Sequence, residues 1–238
     1  MTKQITWGQA LKRTGFLFEK QGESFFLPYE NKQNLQLLER ILHRLGVANA
    51  WEQMRFTPPS LLVEEAAWME AFYENRGCRE DFPGEVDAIL LHSLDPYIAG
   101  IVRWCTAIGI PTAMSCDGHG RRHAYLSFER GNEQYPIILD ACLSLLSGGK
   151  WQFQFQYEGA SGRFMLRRSD REMRESLQAR REMRESGREH EKNRAVDQSW
   201  LLDVAEAMYD HLDVLSDLVR SMKAISAIHF AGKRGDIQ

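Results

Sequence analysis

The sequence predicts an α+β fold centred on a split-βαβ, ferredoxin-like sheet. Three observations lead there. Between residues 84 and 168 the punctuation by Gly and Pro marks off strand, helix, strand, strand, helix, strand. Trp151, Phe153, Phe155 and Tyr157 alternate with Gln152, Gln154 and Gln156, the period of a strand with one buried face. Apolar runs at helical spacing separate the strands.

The elements follow in order. Aromatic residues flank Gln21-Gly22 and predict a hairpin over 15–27. Leu35, Leu38, Ile41, Leu42 and Leu45 predict a helix that Gly46 stops. Pro58-Pro59-Ser60 reads as a break and an N-cap for a helix running to Arg76, with Trp68 and Phe72 in the core. Val86 to His92 is a short apolar run expected to be a buried strand. Asp95-Pro96 opens a helix to Ala107, and Gly109 ends it. Residues 110–116 and 123–128 read as strands around the turn at 117–120. A helix over 135–147 stops at Gly148-Gly149, and strands over 151–157 and 163–167 close the sheet.

The domain plan is therefore an N-terminal hairpin-and-helix module (1–80), the α+β core (84–168), a charged insert (169–197) and a long amphipathic helix (198–224). The charged stretch spans 163–194 and holds eleven basic against seven acidic residues. It repeats the hexapeptide Arg-Glu-Met-Arg-Glu-Ser at 171–176 and 181–186. A ten-residue offset falls about 80° short of three helical turns, so the copies do not share a face. That favours a solvated helix or mobile insert over an acidic-partner surface. Leu201, Val204, Ala205, Met208, Leu212, Leu215, Val219 and Met222 form the apolar stripe of the last helix. It packs on the core, or forms a homodimer or partner-protein seam.

Composition excludes several classes. The chain is 43% hydrophobic and 26% charged, as a folded globular protein is, with a net charge of -3 that argues against generic polyanion binding. No apolar run reaches the ~20 residues of a membrane span, and the N-terminus lacks a secretory layout. Four cysteines (Cys78, Cys105, Cys116, Cys142) without a CxxC pair fit a reducing, cytoplasmic setting.

The chemistry concentrates in Ser115-Cys116-Asp117-Gly118-His119-Gly120-Arg121-Arg122-His123. A right-handed crossover would bring His92, Asp95, Lys150 and the start of the helix at Pro96 to the same rim. Three readings stay open. Cys116 is a nucleophile or redox thiolate. Or His92, Cys116, His119 and His123 bind a metal such as zinc. Or a phosphate-bearing ligand, a nucleotide or RNA end, is held by Asp95, Ser115, Gly118, Gly120, Arg121, Arg122 and Lys150, with His119 and Asp117 moving protons. A plain tight hairpin with a buried Cys116 is the structural alternative. As a whole, the chain reads as an α+β protein with a Cys/Asp/His/Arg site for a phosphate-bearing ligand, or as a non-enzymatic subunit of an assembly.

Thr112 to His119, followed by a strand ending in Phe128, resembles the Ser-Cys-Ser-Gly-Arg segment of the tRNA wybutosine-synthesis protein 3 family. Ser115, Cys116 and Gly118 match, and His119 stands where that family has Arg. The resemblance covers about fifteen residues and implies RNA modification by an S-adenosylmethionine-dependent methyltransferase. No glycine-rich methyltransferase loop in the sequence supports that cofactor independently.

Overall fold

A computed structural model describes residues 3–47, 51–52, 54–77, 89–120, 123–128, 134–158, 161–168 and 198–235. The duplicated stretch, Cys78, Arg121 and Arg122 lie outside them. The chain divides into two units: residues 1–103 with 198–209, and residues 104–197 with 210–238.

The first unit opens with β1 (Gln4–Thr6) and α1 (Trp7–Thr14). Thr6 and Gln9 form a capping box: Thr6 Oγ1 accepts the Gln9 N–H, and Gln9 Oε1 accepts the Thr6 N–H. Gly15, at φ 90°, closes the helix in a conformation that L side chains resist. The expected hairpin forms as β2 (Glu19–Gln21) and β3 (Ser24–Phe26) around Gly22 at φ 64°. The expected leucine helix is α2 (Lys32–Arg44), with Asn31 as its N-cap.

β4 (Trp51–Glu52) and β5 (Arg55–Phe56) complete a four-stranded sheet in the order β2-β3-β5-β4. The helix predicted to begin at Ser60 instead begins at Glu65. Leu62–Glu64 forms β6, because it pairs antiparallel with β1. The helix proper is α3 (Glu65–Glu74), and Trp68 and Phe72 are fully buried, as expected. Trp7 and Phe16 meet Trp68 edge-on, at 87° and 84°, the favoured geometry for aromatic quadrupoles.

Downstream the sequence-based plan changes. Where a strand was expected to end at His92, Leu91–Ser93 is a 3-10 turn; residues 81–88 lie outside the described ones. α4 (Pro96–Ala107) follows as predicted, and Gly109 ends it at φ 82°.

The second unit holds β7 (Met114–Cys116), β8 (Tyr125–Ser127), α5 (Gln134–Ser147), β9 (Trp151–Glu158) and β10 (Ser161–Arg168). Its sheet runs β7-β8-β10-β9, antiparallel throughout. A ferredoxin-like sheet needs a parallel crossover pair, and the described strands contain none. The described residues thus form a mixed α+β protein, in which β7–β8 and β9–β10 are hairpins joined by the β8–β10 pair. One sheet face carries Ala124, Leu126 and Leu166, all buried, and α5 packs along β9. Phe153 N–H donates to Asp140 of α5 at 2.7 Å.

The helix expected over 198–224 is two helices, α6 (Ser199–Asp210) and α7 (Leu212–Gly235), broken at His211 without a Gly or Pro there. Trp200, Leu201, Leu202, Val204, Ala205 and Met208 of α6 are buried in this chain. This half of the stripe is thus spent internally. Arg13 of α1 anchors it: Nε donates to Glu206 at 2.7 Å, one terminal nitrogen to Asp203 at 3.0 Å, and the other to Glu65. Among the described residues no helix is long and apolar enough to cross a membrane.

Candidate functional site

The β7–β8 connection builds the site from purely local forces. Cys116 ends β7 opposite Tyr125, so its side chain leaves from the face away from buried Leu126. The next residue, Asp117, is 3% exposed. Its Oδ1 accepts the N–H of His119 at 2.8 Å, an Asx turn that folds the chain back. Gly118, His119 and Gly120 then take φ values of 83°, 51° and 67°. Glycine adopts that region at no steric cost, whereas His119 adopts it at some strain, held by the Asp117 bond.

This backbone turns the imidazole over the thiol. His119 Nε2 lies 3.5 Å from Cys116 Sγ, and His119 Nδ1 lies 3.3 Å from Asp117 Oδ1. The Gly118 N–H also points at Sγ, at 3.3 Å. A carboxylate at Nδ1 fixes the tautomer with its proton there and leaves Nε2 as the lone-pair donor facing sulfur. The His119 side chain is 59% exposed, so the thiol–imidazole pair opens to solvent, while the orienting carboxylate is 5% exposed.

A ligand atom from each of Cys116, Asp117 and His119 lies within 4.8 Å of the others, a grouping able to hold a metal ion. The spacing can be tested against zinc. Bonds of about 2.05 Å to nitrogen and 2.3 Å to sulfur at a tetrahedral angle put the two donors about 3.6 Å apart. The 3.5 Å between Nε2 and Sγ meets that value. It equally suits a thiol donating to the ring.

No protein-family model, curated protein or solved structure matches this chain. The chemistry must therefore be read from the residues themselves.

The other residues singled out in the sequence are distributed as follows. Ser115 pairs with Leu126, on the opposite face from Cys116. Lys150 is exposed between α5 and β9. His92 and Asp95 belong to the first unit. His92 is buried in the 3-10 turn, where its carbonyl accepts the Gly77 N–H, and Asp95 pairs with Arg76 at the start of α4. Most of the strand over 86–92 from which their meeting with Cys116 was deduced lies outside the described residues. His123 does not belong to the group around Cys116 and sits at the start of β8. Burial, and then the charge of Arg167, push its pKa below the usual imidazole value.

Arg167 was assigned no role from the sequence. The signal was present in the alternation of residues 163–167, but only the register of β10 on β8 converts it into a position beside His123.

Proposed function

We propose that the turn at 116–119 is a zinc-type metal centre that acts on a phosphate-bearing ligand. Cys116 Sγ and His119 Nε2 are its protein ligands, and Asp117 orients His119 from behind. The observation that supports this most strongly is the two-ended use of one imidazole. Nε2 converges with a thiol at the spacing of a tetrahedral edge, while Nδ1 is held by a buried carboxylate. A plain hairpin needs neither contact. The carboxylate–histidine–metal arrangement needs both.

Two protein donors leave two positions of a tetrahedral ion open, one more than a three-ligand catalytic site leaves, with room for a bound water and a substrate oxygen. The ligand class follows from the sequence pair Arg121-Arg122 directly after Gly120, since guanidinium groups suit a phosphate by charge and by their planar fork. A nucleotide or an RNA end carries that chemistry, and the resemblance of Ser115-Cys116-x-Gly118 to an RNA-modifying family points the same way.

Metal content of the purified protein, followed by zinc titration, tests the reading. Wild type is expected to bind one equivalent. Cys116→Ala and His119→Asn lose it, asparagine being chosen because it tolerates the left-handed backbone at 119. Asp117→Asn weakens it by about 10- to 100-fold, the usual cost of an orienting carboxylate. Asp95→Asn tests the sequence-based assignment of that residue to the same ligand. Failure of wild type to take up zinc, or uptake unchanged in Cys116→Ala, overturns the proposal.

A further inference from the structure

The sheet of the second unit has two chemically different faces. Ladder register tells which residues share each. Cys116 stands opposite Tyr125, and Tyr125 opposite Met165. The ladder continues one step toward the turn, where the Leu166 N–H donates to the Ala124 carbonyl at 2.9 Å. Arg167 stands opposite Gln152 on one side, and the β10–β8 register extended past Tyr125 leads to His123 on the other. Successive residues of a strand alternate sides. Ala124, Leu126 and Leu166 are buried on the core face, so Cys116, His123, Tyr125, Met165 and Arg167 lie on the other. These five are each only part-buried, and Met114, at the far end of the same face, is 58% exposed.

Arg167 is the charged residue of this rung, and Glu158, the acid of β9, stands opposite Ser161, six residues away along β10. Burial, and then the charge of Arg167, lower the His123 pKa, in keeping with the position that the ladder gives the two residues. The rung next to the metal-centre turn thus offers a guanidinium, an imidazole and, in Gln152, an amide. Tyr125 supplies an aromatic ring one rung further on.

We infer that this rung is the seat of the ligand's phosphate: Arg167 grips it, His123 and Gln152 donate to its oxygens, and Tyr125 meets the adjoining base. The inference rests on the metal-centre reading for what happens at Cys116, but binding at the seat can be measured without it. The Arg167 fork matches two phosphate oxygens at once, which a lysine cannot do. The Tyr125 ring, beside Met165 on this face, offers a base a surface on which to stack. The occupant is a 5′-phosphorylated nucleotide, free or at the end of an RNA strand.

Calorimetry on the full chain, with adenosine 5′-monophosphate, adenosine, inorganic phosphate and a short single-stranded RNA with or without a 5′-phosphate, tests this. The monophosphate is expected to bind, and adenosine to bind at least about tenfold more weakly, as loss of charge-assisted hydrogen bonds requires. Arg167→Gln is expected to lose a similar factor for the monophosphate with zinc uptake unchanged, and Arg167→Lys to recover part of it. Tyr125→Leu should weaken the monophosphate and leave inorganic phosphate alone. A 5′-phosphorylated RNA that binds tighter than the monophosphate upholds the seat and identifies an RNA end; equal binding upholds it and identifies a free nucleotide. Retained monophosphate binding in Cys116→Ala upholds the seat even where zinc uptake fails. Equal affinity for adenosine and its monophosphate, no binding of any probe, or wild-type binding by Arg167→Gln overturns it.

Discussion

The Nε2 of His119 sits 3.5 Å from the Sγ of Cys116, within a turn of four residues. A bound metal would occupy the space between them and remove the sulfur lone pair from reaction. Zinc is therefore expected to slow alkylation of Cys116 by iodoacetamide, read by peptide mapping. Cys105 is buried and its thiol is pushed well above the ordinary range by desolvation; burial pushes Cys142 up to about 11. Both should stay unmodified with or without zinc, serving as internal controls. Equal Cys116 labelling in both states would count against the metal.

Gly100 of α4 lies close against α1 and α6. A Cβ there would lie 2.3 Å from the Arg13 carbonyl oxygen and 2.7 Å from the Ala205 Cβ. Neither backbone nor Cβ can swing away. Gly100→Ala is expected to destabilise by about 3 kcal/mol, the upper range for overpacking, despite the better helix propensity of alanine. Chemical denaturation measures it, and a stabilised variant would show that α4 is not so closely held.

Arg13 is 6% exposed and serves three carboxylates, Glu65, Asp203 and Glu206, with Lys3 joining Glu65 at 3.0 Å. Removing it leaves acids clustered without their central cation. Arg13→Met keeps much of the apolar stem and should still cost about 3 kcal/mol or more, the range for breaking a buried pair. Hydrogen exchange is expected to show α6 loosening first, because two of the three partners lie on it. Unchanged protection there would contradict its anchoring role.

Glu30 gives a pH signature. Its side chain is 0% exposed, taking the Leu17 N–H at 2.6 Å and the Asn34 amide at 2.9 Å, with Arg103 at 3.5 Å. Desolvation raises its pKa, only partly offset by Arg103 and the hydrogen bonds. A raised folded pKa means that the native state binds the proton more tightly than the unfolded chain does. This contribution to stability is fully present below the unfolded carboxylate value, about 4.3, and is lost as pH rises through the folded one. Glu30→Gln should remove that slope. Denaturation midpoints for both proteins across the acid range check it, and parallel curves would exclude Glu30 as the source.

Much of the local structure is legible in the sequence because local forces set it. The hairpin at Gly22, the leucine helix, the stops at Gly46 and Gly109 and the alternating strand at 151–158 all appear near their expected places. So does the bend at 117–120, which glycines and an Asx contact create within a few residues. The helix expected from Ser60 fails for a non-local reason: Leu62–Glu64 is claimed by β1, nearly sixty residues away, through a ladder that no window of sequence reveals. The ferredoxin-like order is likewise not seen among the described strands. An element order does not say which strands pair, and here β8 pairs with β10 across α5 and β9.

By itself the sequence determined that Cys116, Asp117 and His119 would share one turn, since spacing along the chain confines them to it. The tertiary structure decided which groups stand around that turn. Arg167 reaches the rung of His123 only through strand register, and Arg13 gathers its acids only when α6 returns to α1. The physical reason is that apolar periodicity states which face is buried but not against what. Partner choice is made by packing and ladder hydrogen bonds between segments far apart in the chain.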